Sequence, residues 1–378
     1  MKNVFNHAVC IAAAAFALNG CQTKEDSVES TVTYNGDADL WRNTATLTVA
    51  SGAGSVVVEY RRAGDTQWHT AKQQGGGDYI IEPEYTDVPA TDGKLAYKSL
   101  VDGTGVWLGN SYEVRVTVDG REAATTAFDA GGTKDIIPDG TMDNWSKHHL
   151  DGVVGGDYDS PNTDPNNPFW SNGNNSLTKD ICQESTIDGC NGKACALLKS
   201  AESIVLAAGN LFSGEMVVEG FGAYPNFGRK YTYTARPSAF RFRYRATITP
   251  ITTVGSSDTL HQKGDPDPAS VMFAIVDWNA THVIASGMAP DANTFFNPAQ
   301  KSAYDEGNVI GYGLILLTES KETWTEVTIP VCWYDTAAGN PSGNTCSIVI
   351  SAASSAYGDY LTGSPDNELY IEDFEWVY

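Results

Sequence analysis

The sequence predicts an all-β protein built from two sandwich domains, because it contains period-two strands, clusters of turn-forming residues and no sustained helical repeat. Apolar and polar side chains alternate in short runs such as 112–118, 240–248 and 369–378. Gly, Asn, Asp and Pro residues separate these runs, and nowhere does the pattern support a helix of three turns. A chain of 378 residues also has the length of two or more domains. We therefore expect a smaller sandwich followed by a larger β-jelly roll.

The N-terminus has the pattern of a secretion signal that ends at a cysteine. Lys2 precedes an uncharged, mostly apolar run from Ala8 to Leu18, which is too short to cross a bilayer. The following sequence, Leu18-Asn19-Gly20-Cys21, resembles the lipobox of bacterial lipoproteins. We expect residues 1–20 to be removed, Cys21 to carry lipid and residues 21–30 to form a tether. The alternative is a plain signal peptide with an incidental cysteine.

The segment that follows Cys21 indicates the cellular location of the protein, and the net charge indicates which partners it can bind. Lys24-Glu25-Asp26 resembles the surface-export tag of lipoproteins in Gram-negative gut anaerobes. We therefore expect a lipid-anchored outer-membrane protein at the cell surface, where other glycan-uptake proteins could be its partners. The formal net charge of −23 repels phosphate backbones and excludes nucleic acid as a partner. Neutral glycans would feel little of this charge.

The first predicted domain covers residues 31–129, and a Gly-containing linker separates it from residues 136–378. Its strands include Ser55–Tyr60 and Tyr112–Val118, which place apolar side chains on one face. This size and pattern are typical of an immunoglobulin-like sandwich. The runs 58–62 and 106–116 resemble those of a fibronectin type III domain. That resemblance implies that the hydroxyl of Tyr112 bonds back to upstream backbone.

Six motifs follow one another in the second domain, and their order is more specific than any one of them. They are Ile137 to Trp145, Pro168 to Asn174, Ala208 to Gly214, Ala235 to Tyr244, Ser354 to Gly363 and Leu369 to Asp373. Together they resemble the carbohydrate metabolism domain family PCMD, whose members carry an immunoglobulin-like domain ahead of it. The resemblance implies a jelly roll with a sugar pocket and leaves catalysis open. Two departures are Glu372, where the family more often has Asp, and Met142-Asp143, where related sandwiches prefer Phe-Glu.

A sugar site needs an aromatic plane for the CH faces of the ring, together with polar groups for its hydroxyls. We expect such groups in the loops and at the strand ends of the second domain. The candidates are Trp145, Trp170, Asn174, Arg236, Asp277 and Trp278. For the indoles the alternative is that they fill the end of the sandwich, and for Asp277 that it begins a turn. For Arg236 the alternative is an ion pair with a carboxylate of a closing strand.

The leading functional hypothesis is glycan recognition by the jelly roll. A glycoside hydrolase or lyase is the first alternative, since a glycosidase needs two carboxylates and 47 acidic residues supply many pairs. No GxSxG, HExxH or P-loop motif is present, and His148-His149 reads more readily as a solvated loop pair than as a ligand set. A structural or adhesive envelope protein is the second alternative.

The cysteines predict disulfides in an oxidising compartment. Cys332 and Cys346 flank a turn-rich stretch between two apolar runs, so we expect them to join neighbouring antiparallel strands. Cys182 with Cys190 is the second expected pair, which leaves Cys195 as a buried thiol.

The positions of acidic residues near the two ends of the second domain indicate a structural calcium site. Asp143 lies near its first strand, and Glu372 and Asp373 lie in its last. Hard oxygen ligands from these residues could converge where the first and last strands meet. The alternative is that these carboxylates are simply solvated.

Overall fold

The computed structural model describes residues 29–202, 205–220, 222–284, 295–300, 306–341, 343 and 346–378. The predicted signal segment, the anchor Cys21 and the tether up to residue 28 lie outside this part of the chain. Within it, the structure consists of 27 strands and a single short 3-10 helix, Gly358–Tyr360. The all-β prediction is confirmed. No helix in the described ranges is long and apolar enough to cross a membrane.

The first domain is a sandwich of two four-stranded antiparallel sheets. One sheet has the order β1-β2-β6-β5 and the other β10-β9-β3-β4. The strands up to residue 129 are β1 Thr31–Tyr34, β2 Ala45–Ala50, β3 Val56–Arg62, β4 His69–Thr70, β5 Lys72–Gly75, β6 Asp78–Ile81, β7 Tyr85–Val88, β8 Tyr97–Leu100, β9 Ser111–Val118 and β10 Arg121–Asp129.

The second domain packs a five-stranded sheet, β14-β15-β27-β20-β24, against a much wider one. The wide sheet runs β22-β19-β18-β26-β21-β23-β25 and then continues into β8 and β7. The remaining strands are β11 Ser146–Leu150, β12 Gly156–Ser160, β13 Trp170–Asn172, β14 Cys182–Ser185, β15 Cys195–Lys199, β16 Ala201–Glu202, β17 Leu206–Ala207, β18 Asn210–Glu219, β19 Gly222–Phe227, β20 Ala239–Thr247, β21 Ala269–Trp278, β22 His282–Val283, β23 Gly307–Leu317, β24 Lys321–Pro330, β25 Cys332–Trp333, β26 Cys346–Ala353 and β27 Glu368–Val377.

Alternation along β20 explains how this part of the sequence becomes a strand of the sandwich. Phe240, Phe242 and Tyr244 are buried, while the intervening arginines lie on the other face. A strand turns successive side chains to opposite faces, so this pattern places every second residue in the core. The ring of Phe240 packs on Phe273 of the facing wide sheet with centroids 4.9 Å apart. Interlocking aromatic rings thus hold the two sheets together.

The two domains share a sheet and a buried contact, which the sequence did not indicate. The hairpin β7–β8 leaves the first sandwich and pairs with β25, where Lys98 lies opposite Trp333. Trp41, between β1 and β2, is buried in the core of the second domain and donates its indole N–H to Ala338 O at 2.9 Å. We predicted a domain boundary between residues 129 and 136. Strand β8, which precedes these residues, pairs with β25, which follows them, so this boundary stays a prediction.

The corner of the first domain has the contact that its sequence implied. The hydroxyl of Tyr112 accepts a hydrogen bond from the backbone N–H of Trp107 at 2.7 Å. Burial raises the pKa of Tyr112 to about 12, so this phenol stays protonated at neutral pH. Assignment of the domain to the fibronectin type III group stays a prediction.

The predicted hairpin between Cys332 and Cys346 is wrong. Cys346 begins β26 and Cys332 begins β25, and both β21 and β23 lie between these strands in the sheet. Neighbouring strands are about 4.8 Å apart, so three spacings separate the two cysteines by far more than a disulfide allows. Both thiols are free.

The predicted bond between Cys182 and Cys190 is also absent, since both thiols are free. Cys182 is fully buried at the start of β14. Its backbone lies opposite Leu198, whereas Cys195 lies opposite Ser185 at the other end of the same strand pair. The thiols of Cys190 and Cys195 both point to the carbonyl oxygen of Ser185, at 4.0 and 3.5 Å. Cys195, which we expected to be solitary, is therefore the cysteine nearest to Cys190 in this hairpin.

Candidate functional site

A polar groove opens beside the hairpin β11–β12 of the second domain. It encloses about 610 Å³, which lies within the range of roughly 300–1,000 Å³ that is usual for ligand sites. We call it the His148 groove, and the lining residues that matter here are His148, Tyr158, Asn166, Asn167, Glu215 and Arg229.

The aromatic wall of the groove comes from two residues that face each other across the hairpin. His148 lies opposite Tyr158 in the antiparallel register, and their rings stack with centroids 5.4 Å apart. Burial lowers the pKa of His148, against a smaller opposing effect of Asp159, so this imidazole is neutral at pH 7. Burial raises the pKa of Tyr158, which therefore keeps its proton. The wall is an uncharged aromatic surface.

The neighbouring His149 has the opposite electrostatic character. Its Nδ1 lies 2.7 Å from the carboxylate of Asp157, and this hydrogen bond raises the pKa of the imidazole. Strand geometry explains the contrast, because adjacent residues point to opposite faces of the hairpin. One histidine of the pair lies on Tyr158 and the other pairs with an acid in solvent.

Asn162 holds the Asn-rich rim of the groove in place. It is buried, and its side-chain oxygen accepts hydrogen bonds from the backbone N–H groups of Phe169 and Trp170 at 2.8 and 2.9 Å. Its amide donates to Trp170 O at 2.9 Å. These bonds close the loop that presents Asn166 and Asn167, whose exposed amides can both donate and accept hydrogen bonds.

The opposite side of the groove carries one cation and one carboxylate. Arg229 donates through Nε to Phe169 O at 3.3 Å and through Nη2 to Gly214 O, which fixes the plane of its guanidinium. Burial lowers the pKa of Arg229, although the group stays charged at neutral pH. Glu215 is exposed and accepts a hydrogen bond from Asn226 at 3.0 Å.

Trp170 lines the base of this groove but cannot serve as the predicted sugar platform. Its side chain is 1% exposed, and its ring stacks on Phe374 in the core with centroids 5.3 Å apart. Its indole N–H donates to Pro138 O at 2.8 Å. The sequence showed the polar loop around this residue but not the core beneath it.

Asn174, which we predicted to contact ligand, instead forms hydrogen bonds within the domain. The residue is 7% exposed and exchanges two hydrogen bonds with the backbone of Cys182. Its amide donates to the carbonyl at 2.6 Å, and its oxygen accepts from the N–H at 3.1 Å. These contacts join the segment after β13 to β14.

Arg236 is buried between the two domains and does not lie in the accessible position from which we predicted that it binds a ligand. It donates to Thr336 O at 2.8 Å and to Ala338 O at 3.0 Å. Its guanidinium lies over the rings of Trp41 and Trp333, 4.9 and 4.7 Å from their centroids. With 1% exposure it has no surface to offer a sugar.

The other predicted ligand residues lie outside the lining of the groove. Trp278 is 2% exposed and packs on Phe296, so its indole is not available at the rim as predicted. Trp145 is half-buried and donates its indole N–H to Met142 O at 2.9 Å. Asp277 is exposed near the end of β21, and its binding role stays a prediction.

The three predicted calcium ligands do converge, but N–H donors occupy their oxygens. Asp143 accepts from the backbone of Lys193 and Ala194, while Glu372 accepts from Asn191 N at 3.0 Å and pairs with Arg243 at 2.8 Å. Asp373 accepts from the Asn191 amide at 2.8 Å. Burial raises the pKa of Glu372, and Arg243 counteracts this. Among the described residues there is no group of three or more His, Cys, Asp or Glu that could hold a metal ion.

Sequence reasoning missed Tyr158, Glu215 and Arg229, and it placed His148 in a solvated loop. The run from Lys147 to Leu150, with its two histidines, is consistent with a strand. Eight residues after Leu150, Tyr158 lies in a second short run that could form the partner strand. This signal could have identified the hairpin. The approach of Arg229 depends on long-range pairing and has no local signature.

A second cavity, between the domains near Trp107 and Tyr378, encloses only about 50 Å³. A water molecule occupies about 30 Å³ in the liquid, so this space is too small for a sugar ring. The His148 groove is the larger of these two cavities.

Solved structures with detectable similarity include two from Bacteroides species. A "putative glycoside hydrolase" from Bacteroides thetaiotaomicron has 11% identity and a TM-score of 0.40, with 95% of this chain and 99% of that chain covered. A protein described in the same words, from Bacteroides vulgatus, has 13% identity and a TM-score of 0.39, with 78% and 95% covered.

A search of curated proteins returned no match. The family model described as "Putative carbohydrate metabolism domain", PCMD, matches residues 147–377, which is more than half of the chain. The matched region begins in β11 and ends with β27, so it contains the whole His148 groove. The chain therefore belongs to the PCMD family.

Proposed function

We propose that this protein recognises a neutral glycan, which it binds in the His148 groove. The observation that carries the proposal is the combination of an uncharged aromatic wall with a rim of amide and charged groups in a cavity of about 610 Å³. Sugars have apolar CH faces and hydroxyl edges, so a site of this composition complements both. Family membership supports a ligand related to carbohydrate.

The charges around the groove favour a neutral ligand over a strongly anionic one. Lys147 and Arg229 contribute positive charge and Glu215 contributes negative charge, so the lining is mixed. The whole chain carries a formal net charge of −23, which would repel a polyanion on approach. A neutral chain of sugars avoids this repulsion and can still use every hydrogen-bonding group.

The acidic residues that line the His148 groove favour binding over hydrolysis. A glycosidase needs two carboxyl groups roughly 5–9.5 Å apart across the scissile bond. Among the described residues that line the groove, Glu215 is the only carboxylate. The geometry therefore supports recognition, and the hydrolase and the adhesive protein remain alternatives that the same experiment separates.

The test is a glycan array followed by isothermal titration, with the purified chain from Gln22 and neutral plant and microbial oligosaccharides. We expect Tyr158→Ala to weaken binding about tenfold, because stacking on an aromatic ring contributes about 0.5–1.5 kcal/mol beyond the apolar area that it buries. Release of reducing ends from any of these glycans would instead support the hydrolase.

The matched control is Tyr224→Ala, which also removes a half-buried tyrosine from a strand next to β18 but lies outside the described groove lining. Its affinity should equal that of the unmodified protein. If the array shows no binding to any glycan, or if both variants bind equally well, the proposal fails. The absence of binding to any glycan would favour the alternative of an adhesive protein.

We also propose that the chain is held at the outer membrane, facing outwards, by lipid on Cys21. The support is the sequence pattern at residues 18–26. Several acyl chains would anchor it almost permanently, since burial contributes about 0.8 kcal/mol per CH₂. Cys21→Ser should move the protein from the membrane fraction to the soluble one. Retention of that variant in the outer membrane would rule out this anchor.

A further inference from the structure

Two loops meet at the end of the sandwich opposite the His148 groove. Residues 250–266 and 354–364 are joined by a β-bridge between Thr253 and Gly363. Asp267 ties them together, because it accepts hydrogen bonds from Ser355 Oγ and Ser364 N, both at 2.6 Å. These contacts are buried, so the side chains that the loops carry are held in defined positions.

Distance along β26 separates these loops from the groove. Arg229, at the groove, bridges to Ile348 near the start of this strand, whereas Ser354 follows its last residue. Ile348 and Ser354 are six residues apart, which corresponds to roughly 20 Å of extended strand. A ligand at the loops would thus occupy a separate place on the domain.

A buried carboxylate orients a histidine in the first of these loops. Asp258 accepts from Nδ1 of His261 at 2.9 Å, from Thr362 Oγ1 at 2.6 Å and from Leu260 N at 2.8 Å. Burial acts to raise the pKa of Asp258, but these hydrogen bonds outweigh it and hold the pKa below its usual value. The carboxylate is therefore ionised, and it keeps the imidazole proton on Nδ1.

In the neutral imidazole with its proton on Nδ1, the other ring nitrogen, Nε2 of His261, is a hydrogen-bond acceptor. The side chain is 18% exposed, and among the described residues no group forms a hydrogen bond with Nε2. The carboxylate of Asp258, by contrast, is completely covered. An oriented acceptor thus lies at the surface, with its supporting acid beneath it.

Aromatic rings surround this acceptor. The imidazole of His261 stacks on Tyr357 with centroids 3.9 Å apart and an angle of 30° between the planes. The ring of Tyr360 stands edge-on to it at 5.6 Å, and Phe295 packs on Tyr360 at 4.8 Å. Leu260 beside them is 69% exposed. Half-exposed rings next to a fixed acceptor form the same combination of apolar plane and polar group that sugars require.

We propose that these loops form a second carbohydrate site, the His261 site, in which Nε2 of His261 accepts a hydrogen bond from a sugar hydroxyl and Tyr360 packs on the ring. The proposal rests on the proposed function for the class of ligand, but on different residues. Two sites on one domain would let a long glycan bind more tightly than a short one, since the second contact becomes intramolecular.

The test is NMR of protein that carries ¹³C at the histidine Cε1 position, titrated with hexasaccharides of glucose, mannose and xylose. The resonance of His261 should shift on titration even in the Tyr158→Ala protein, in which the groove is impaired. His261→Phe keeps a stacked ring but removes the acceptor together with the NMR reporter, so its binding is measured by isothermal titration in the Tyr158→Ala protein. Binding should be up to about tenfold weaker there, the effect of one lost hydrogen bond.

The outcomes distinguish the two sites. If the His148 resonance moves and that of His261 does not, the second site is absent and the proposed function stands. If the His261 resonance moves only when the groove is intact, the second site is likewise overturned. If neither resonance moves with the three hexasaccharides or with any glycan of the array, both proposals fail. Tyr360→Ala, which leaves Asp258 and His261 in place, serves as the second variant and should also weaken binding.

Discussion

Replacement of Arg236 by methionine should destabilise the whole protein, because this side chain joins the two domains. Methionine has a similar length and fills much of the same space without donating hydrogen bonds. The change removes two bonds to backbone carbonyls: Thr336 O loses the donor Arg236, whereas Ala338 O keeps the bond from the indole N–H of Trp41. It also removes the cation from between Trp41 and Trp333.

The size of the loss follows from these contacts. A hydrogen bond from a charged donor contributes about 1.5–3 kcal/mol, and a desolvated cation–π contact about 2 kcal/mol. The methionine variant also avoids burying a charge, which offsets part of the loss; burial lowers the pKa of Arg236, in keeping with that cost. We expect the free energy of unfolding to fall by about 3–5 kcal/mol, which is the sum of the lost hydrogen bonds and cation–π contacts reduced by that offset.

Urea denaturation followed by tryptophan fluorescence measures this difference, and Arg241→Met provides the control. Arg241 lies on the surface of β20, 36% exposed, and pairs with Glu375 at 2.6 Å. Exposed ion pairs contribute about 0–1 kcal/mol, so this variant should unfold close to the unmodified protein. If Arg236→Met costs no more than Arg241→Met, Arg236 does not hold the domains together.

Two further predictions concern the cysteines and the histidines. Oxidised glutathione should produce a disulfide between Cys190 and Cys195, because the two thiols can release two protons and pass two electrons to the reagent. Non-reducing peptide mapping should recover this bond. A disulfide from Cys190 or Cys195 to another cysteine would contradict the prediction. In an NMR titration His148 should have a pKa below 6.5 and His149 above it. The protonated His149 thus stabilises the fold at low pH and loses this effect as pH rises through its pKa, whereas His148 destabilises it on acidification. Asp157→Asn should lower only the pKa of His149, and equal pKa values would refute the assignment.

The sequence was a good guide to local structure. Alternation in β9 and β20 correctly placed Tyr112, Phe240 and Phe242 in the core, because the period of two is a property of each strand alone. The convergence of Asp143 with Glu372 was also predicted, although it is the turn before β11, not β11 itself, that meets β27, where Phe374 N–H donates to Gly140 O. What the sequence could not show was that backbone N–H groups approach these carboxylates.

Long-range pairing explains the main errors. Cys332 and Cys346 are close in sequence, yet two strands from elsewhere in the chain, β21 and β23, lie between them. The exposure of Trp170 and Arg236 was likewise misjudged. Whether a loop residue faces water depends on what packs against it, and here Phe374 and Trp41 come from the far end of the chain and from the other domain. No local pattern specifies such a partner.

A crystal structure of the protein with an oligosaccharide from the array would test the central claim most directly. We predict a sugar ring packed on the aromatic wall of Tyr158, with its hydroxyl groups bonded to Asn166, Asn167, Glu215 or Arg229. A bound glycan that leaves the His148 groove empty would contradict the account.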